Sequence, residues 1–184
     1  VLPIHRVGED PLPYFTMRLV TGGTLQDRLD RGESLSGDTW TMLARQAAGA
    51  LGAAHAVGII HRDVKPANLL FDERGRLWMA DFGIAASLHD PLPAADHVLG
   101  TPRYMSPEQA RAAVIDGRSD LFALGAVLYR CAAGEDLVAG ESSAEVFASL
   151  DATDFAAMVR ADARLTGAQR CLLARLLASR IRQA

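Results

Sequence analysis

Apolar and polar positions change their period several times along the chain, and each change marks an element. The runs LPIHRVG (2–8) and YFTMRLV (14–20) are short and rich in β-branched and aromatic residues, with EDPLP between them. That is the pattern of an antiparallel strand pair. TLQDRLDRG (24–32) reads as a short helix capped by Thr24 and stopped by Gly32. SGDTWTMLARQAAGALGAAHAVG (36–58) then carries apolar residues at helical spacing with small residues on one face, which predicts a long, closely packed helix. IIH, LLF and LWMA read as short strands, the last two joined by a turn at DERGR in which Gly75 supplies the permissive backbone angle.

From Ile84 to Tyr104 the periodicity fades and Pro91, Pro93 and Pro102 interrupt the chain. A loop of that length within a domain points to function. SPEQARA predicts a short helix with Pro107 at its first position. RSDLFALGAVLYRCAAG (118–134) is the most apolar helix and the expected centre of the core, and two weaker helices follow around SSAEVFASL and TGAQRCLLARLLASR. No repeat and no internal domain boundary is visible.

Composition narrows the classes. An apolar fraction of 49% with 22% charged residues is that of a folded domain, and a net charge of −3 with interspersed signs offers no stripe for nucleic acid and no polybasic cluster for a lipid surface. Nucleic acid is therefore not an expected partner, and the longest apolar run, Leu121 to Tyr129, is too short to span a bilayer. Cys131 and Cys171 each fall in an apolar helical pattern without metal-ligand spacing and read as buried thiols of a reducing cytosol.

The chemistry concentrates in GIIHRDVKPANLLFDERGRLWMADFGIA (58–85). Asp63 and Asn68 share one loop, and Asp81 follows a hairpin that returns to it. Asn and Asp oxygens are the hard donors that a magnesium ion takes alongside phosphate and water. That leaves Asp63 to orient a hydroxyl and accept its proton, with Lys65 placing a cation on the phosphate. These are the roles of phosphoryl transfer to an alcohol. The competing reading of each residue, a turn former or cap, is weakened by their order and spacing.

Four stretches, HRDVKPAN (61–68), DFG (81–83), GTPRYMSPE (100–108) and SDLFALGAVLY (119–129), stand in order and at typical separations. With them the chain resembles the larger, C-terminal lobe of a eukaryotic-type protein kinase, of the serine/threonine group and in bacterial style. The resemblance implies an α+β fold with a mostly helical lobe and short β-hairpins. Residues 1–20 would be remnant smaller-lobe strands and hinge, and 21–184 the larger lobe. It implies ATP and Mg2+ as cofactors, serine and threonine hydroxyls of proteins as substrates, a cytoplasmic location, and a kinase homodimer as a candidate assembly.

Carried over by residue, Asp63 is the implied base, Lys65 its phosphate-facing partner, and Asn68 and Asp81 the magnesium ligands. Met17 matches the gatekeeper, Arg18 and Val20 the backbone that meets the adenine edge, and Leu70 the floor of the adenine slot. Thr101 resembles the threonine that bonds Asp63 and Lys65. Arg62 resembles the arginine that pairs with a phosphorylated activation loop; Ser87 is the only hydroxyl in that loop between Asp81 and Gly100, and Asp96 is a candidate fixed charge for Arg62. Phe82 and Gly83 complete the Asp-Phe-Gly unit, with Phe82 and His61 in a hydrophobic spine to which Ile4 is the only smaller-lobe contribution. Glu108 resembles the glutamate anchoring the end of the docking loop. Asp120 resembles the helix aspartate that holds the His-Arg-Asp backbone, with an ordinary helix cap as its rival. His5, His55, His89 and His97 match no functional position.

The family pattern also has a glycine-rich loop over the phosphates, a strand lysine and its helix glutamate, and none is present here. The chain begins on Val1, in strand-like sequence, and is expected to start within a longer reading frame. Alone, the stretch is expected to be catalytically silent, since a lost electrostatic group typically costs about a hundred- to a thousandfold in rate. At the other end Ala184 falls where the usual arginine partner of Glu108 is expected, leaving Arg180 or Arg182 as a substitute, or Glu108 without its usual partner. A truncated, pseudokinase-like binding or scaffold module is the alternative reading. A small-molecule phosphotransferase is disfavoured by the GTPRYMSPE docking stretch.

Overall fold

The computed structural model describes residues 1–10, 12–33, 35, 37–82, 86–87 and 102–178, with residues 86–87 described by their backbone alone. The chain runs through strands β1 (Ile4–Gly8) and β2 (Tyr14–Met17), helices α1 (Leu25–Asp30) and α2 (Gly37–His55), and strand β3 (Ile59–Ile60). A 3-10 turn (Pro66–Asn68) leads into β4 (Leu69–Phe71) and β5 (Leu77–Met79), and β6 (Ala86–Ser87) follows. Among the described residues that follow, the regular elements are helices: α3 (Pro107–Ala110), α4 (Gly117–Ala133), α5 (Ser143–Ala152), α6 (Phe155–Ala161) and α7 (Gly167–Leu176).

Helix α4 is the centre. Every residue from Phe122 to Tyr129 is buried, so this helix has no solvent face over that stretch. A helix that is apolar all round must be enclosed, and α2, α3 and α7 enclose it. Helix α2 contributes a stripe of Trp40, Leu43, Ala44, Ala47, Leu51 and Ala54, and Trp40 Nε1–H donates to the Leu128 carbonyl at 2.9 Å. The ends of α4 are fixed by local chemistry: the Asp116 side chain accepts from Arg118 N–H at its start, and Gly134 closes it at φ 79°.

The strands form three separate antiparallel pairs, β1 with β2, β3 with β6 and β4 with β5. Beside β4, Gly22 and Gly23 run as a third rail, since Gly22 N–H donates to Phe71 O at 2.8 Å and Phe71 N–H to Gly23 O at 2.9 Å. A Cβ on Gly22 would lie 2.3 Å from Phe71 O, so glycine is required there. The β4–β5 turn is organised by Asp72, whose carboxylate accepts from Arg74 N–H, Arg76 N–H, Arg76 Nε–H and Trp78 Nε1–H. Gly75 occupies the left-handed position at φ 72°.

Several expectations need correction. Within the stretch expected to be loop, Ala86–Ser87 pairs with β3. Between the two expected late helices lies a third, α6, capped by Asp154. Cys131 is buried as expected, but Cys171 is exposed on the outer side of α7, whose buried residues are Leu173 and Ala174. Ile4 is 58% exposed and pairs with Met17 in the hairpin, which puts it on a surface instead of inside a spine.

Candidate active site

The loop between β3 and β4 is shaped by one buried carboxylate. Asp120, on the first turns of α4, accepts from His61 N–H through Oδ2 at 2.9 Å and from Arg62 N–H through Oδ1 at 2.8 Å. His55 Nε2 lies 2.7 Å from the same Oδ2. A carboxylate with no solvent contact needs such donors to remain buried. The capping of α4 is done by Asp116, which frees Asp120 for the loop.

That grip enforces an unusual backbone. Arg62 has φ 66° and Asp81 φ 60°, left-handed values that side chains with a Cβ seldom take. Such residues persist where the surroundings over-determine them, and they concentrate at functional sites. His61 is buried with its ring fixed: Nδ1 accepts from Asp63 N–H at 3.3 Å, so Nε2 carries the proton and donates to the Ala80 carbonyl at 3.0 Å. The Phe82 ring packs on it, centroids 4.3 Å apart. The residue before Asp81 is thus tied to the β3–β4 loop, and a second tie runs from Ala80 N–H to the Asn68 carbonyl at 3.0 Å.

Two nominated side chains meet at Asp63. Lys65 Nζ lies 2.6 Å from Asp63 Oδ2. Asn68 Nδ2–H donates to the Asp63 carbonyl at 2.8 Å and to its Oδ2 at 3.0 Å. Because its nitrogen is spent on Asp63, Asn68 presents Oδ1 as the atom open to a cation. Lys65 is the sole lysine of the chain. Among the described residues no three His, Cys, Asp or Glu side chains gather into a metal site. A site made of one amide oxygen, one carboxylate, substrate phosphate and water still fits magnesium, which is seldom caged by protein alone. Asn68 and Asp81 are such a pair, on segments joined by the Ala80–Asn68 bond.

The remaining nominated residues spread around this corner. Leu70, half-buried in β4, bridges to Thr24. Met17 ends β2 and is 46% exposed. The Arg18 guanidinium lies 5.0 Å from the centre of the Trp78 ring, linking the segment through Val20 to the β4–β5 hairpin. Glu108 accepts from Ser119 Oγ at 2.5 Å. Ser87 lies in β6, its backbone paired with Ile59. Gly83, Asp96 and Thr101, together with Arg180 and Arg182, lie outside the described residues.

The segment after Thr101 is seated on the α4–α5 connection by charge. Arg103 donates to Asp136 Oδ2 at 2.7 Å and to the Gly140 carbonyl at 3.0 Å, and Arg130 donates to the Tyr104 hydroxyl at 2.7 Å. Burial, with the Asp136 carboxylate beside it, pushes the Tyr104 hydroxyl up to about 12.

Sequence reasoning missed His55 and Gln109. His55 was read as unassigned because its partner Asp120 is 65 positions away, and Gln109 because its contact, the Arg62 carbonyl, is 47 away. The helical register that aligns His55 with the end of α2 was a usable sign, but it does not name a partner.

This fold and loop are those of a protein kinase domain's larger lobe, and the chain belongs to that family: the protein kinase domain model matches residues 5–173. Among relatives, the chain is similar to the DNA damage-responsive serine/threonine-protein kinase RqkA of Deinococcus radiodurans, at 42% identity over 153 residues, covering 79% of this chain and 23% of that protein. The serine/threonine-protein kinase PknB of Mycolicibacterium smegmatis is 40% identical over 154 residues, 79% of this chain and 25% of that protein. A probable serine/threonine-protein kinase PknB of Bifidobacterium longum is 39% identical over 138 residues, 73% and 20%. The chain therefore spans about a quarter of the length of these curated relatives.

Proposed function

We propose that the chain is the catalytic lobe of a serine/threonine protein kinase, residues 1–20 serving as strand pair and hinge and 21–184 as the lobe. The observation that carries this is the convergence of Lys65 and Asn68 on the Asp63 carboxylate, at 2.6 and 3.0 Å. Asp63 orients the incoming hydroxyl of a protein serine or threonine and accepts its proton. Lys65 sets a positive charge on the phosphoryl group in flight, and Asn68 holds Asp63 in place while offering its oxygen to a cation. Asn68 Oδ1 and Asp81 are the residues that would hold Mg2+, with Leu70 below the adenine and the Arg18 to Val20 backbone at its edge. When bound, ATP and Mg2+ supply the transferable phosphoryl group and neutralise its charge.

The docking segment from Thr101 to Glu108 carries the choice of a protein acceptor over a small molecule, and use of ATP puts the activity in the cytoplasm. Among the described residues no helix is long and apolar enough to cross a membrane. Residues 1–184 taken by themselves are silent, lacking a lysine other than Lys65 to hold the α- and β-phosphates.

The test is transfer of labelled γ-phosphate from Mg-ATP to a protein acceptor by the polypeptide as its gene encodes it, with Asp63→Asn beside it. Phosphoserine or phosphothreonine formed by the wild type, and reduced by about a thousandfold or more in the variant, supports the proposal. Nucleotide binding without transfer favours the scaffold-module alternative instead.

A further inference from the structure

The peptide unit that leads into Asp63 is held at both ends, and one holder lies outside the loop. Its N–H donates to His61 Nδ1 at 3.3 Å, and its carbonyl, that of Arg62, accepts from Gln109 Nε2 at 2.8 Å. Gln109 belongs to α3, the helix that ends the docking segment. Its other amide atom is occupied too: Oε1 accepts from Ser106 N–H at 3.0 Å, while Ser106 Oγ accepts from Gln109 N–H at 3.3 Å, a reciprocal cap of α3. The side chain is part-buried, and Ser106 is fully buried.

Both halves of the amide are therefore in use, and the two uses demand different chemistry. The cap needs an acceptor, which Glu provides as well as Gln. The Arg62 carbonyl needs a donor, which an ionised Glu lacks. Arg62 is also the loop residue with the left-handed backbone, φ 66°, a conformation that its own preferences do not favour. Asp120 fixes that residue through its N–H at 2.8 Å, and Gln109 fixes it through its C=O.

We infer that Gln109 is a positioning residue: it aims Asp63 by fixing the Arg62 carbonyl, and it joins that aim to the seating of the docking segment. The inference rests on the kinase reading for its consequence in catalysis, but its structural half stands apart from it. When α3 is in place, one side chain caps the helix and completes the loop. When the docking segment is displaced, the peptide before Asp63 loses this holder. Acceptor docking and orientation of the base are then two readings of one amide.

Gln109→Glu separates the two uses, because the carboxylate keeps the α3 cap while replacing the donor to Arg62 with an oxygen that repels its carbonyl. In the polypeptide as its gene encodes it, kcat for transfer falls by about fivefold to tenfold, the loss of one aligned hydrogen bond, while KM for ATP stays within about twofold. Amide exchange followed by NMR is the activity-free readout: the Asp63 amide exchanges faster, whereas the Ala110 amide, which donates to the Ser106 carbonyl at 3.0 Å within α3, keeps its wild-type rate. If the carboxylate prevents folding, Gln109→Met, of similar length and uncharged, carries the same two readings at Asp63. Unchanged exchange at Asp63, or an unchanged kcat in an active protein, overturns the inference. Faster Asp63 exchange in a protein whose wild type transfers no phosphate leaves the link standing and defeats the kinase reading instead.

Discussion

The two ends of the site are built by opposite means. At Asp120, a fully buried carboxylate has three named partners: His61 and Arg62 through their N–H groups and His55 through its ring. In the β1–β2 hairpin, apolar groups are exposed: Val7 is 73% accessible, Phe15 59% and Ile4 58%. The first corner gains its shape from contacts with distant segments, so backbone angles as unfavourable as that of Arg62 are held. The second has a strand ladder but no layer beneath it among the described residues, and a two-stranded ribbon alone is marginal in water. Chemistry is therefore placed where side chains from several elements fix the backbone, and the hairpin contributes edges and an apolar face.

The strongest way to break this contrast is Asp120→Ala. It leaves three donors facing a buried void, and each buried donor left unsatisfied costs about 1–3 kcal/mol. Chemical denaturation should show a loss of that size, with faster exchange of the His61 and Arg62 amides. A Leu128→Ala substitution in the fully buried middle of α4 comes next, at about 2–5 kcal/mol by the same melt.

Gly117→Ala probes the corner more finely. An added Cβ would sit 2.8 Å from His55 Nδ1, so the ring must shift away from Asp120. Overpacking of this kind costs about 1–3 kcal/mol, and the His55 ring resonances in NMR should move while those of the hairpin stay.

A pH titration of stability sharpens the comparison without mutation. The Asp72 carboxyl is held well below the usual range, chiefly by the Arg76 backbone N–H and further by Trp78 and Arg76. Its folded value lies below the unfolded one, so its contribution is present above about pH 4 and is lost as pH falls below that. Tyr104 is the reverse case: burial raises its hydroxyl to about 12, so its contribution is complete below pH 10 and fades as pH rises through 12. Melting curves should fall on both limbs, and Asp72→Asn should flatten only the acid one. The smallest effect belongs to the hairpin. Val7→Ser or Phe15→Ser should change unfolding free energy by no more than about 0.5 kcal/mol, while lowering the binding of an apolar dye.

Local signs made much of this legible in the sequence. Thr24, Gly32 and Pro107 announced helix ends that the structure keeps, the helical spacing of apolar residues marked α2, and the most apolar stretch marked α4. The loop chemistry was legible because Asp63, Lys65 and Asn68 are close in sequence as well as in space. What escaped was long-range or short. His55 finds Asp120 across 65 positions, β6 is two residues long and exists through its pairing with β3, and α6 spans seven residues behind an Asp154 cap. Cys171 escaped because an apolar helical pattern does not say which side of α7 the core takes.

The most direct test of the central claim, that the Asp63 corner faces a nucleotide phosphate, uses the sole lysine of these 184 residues. An acyl phosphate of ATP, bound there, transfers its acyl group to the Lys65 amine as an amide and releases the nucleotide, and peptide mass spectrometry locates the mark. The account predicts modification of Lys65 that excess Mg-ATP prevents and that Asp81→Asn weakens. Lys65 left unmodified, or modified equally with and without Mg-ATP, contradicts it.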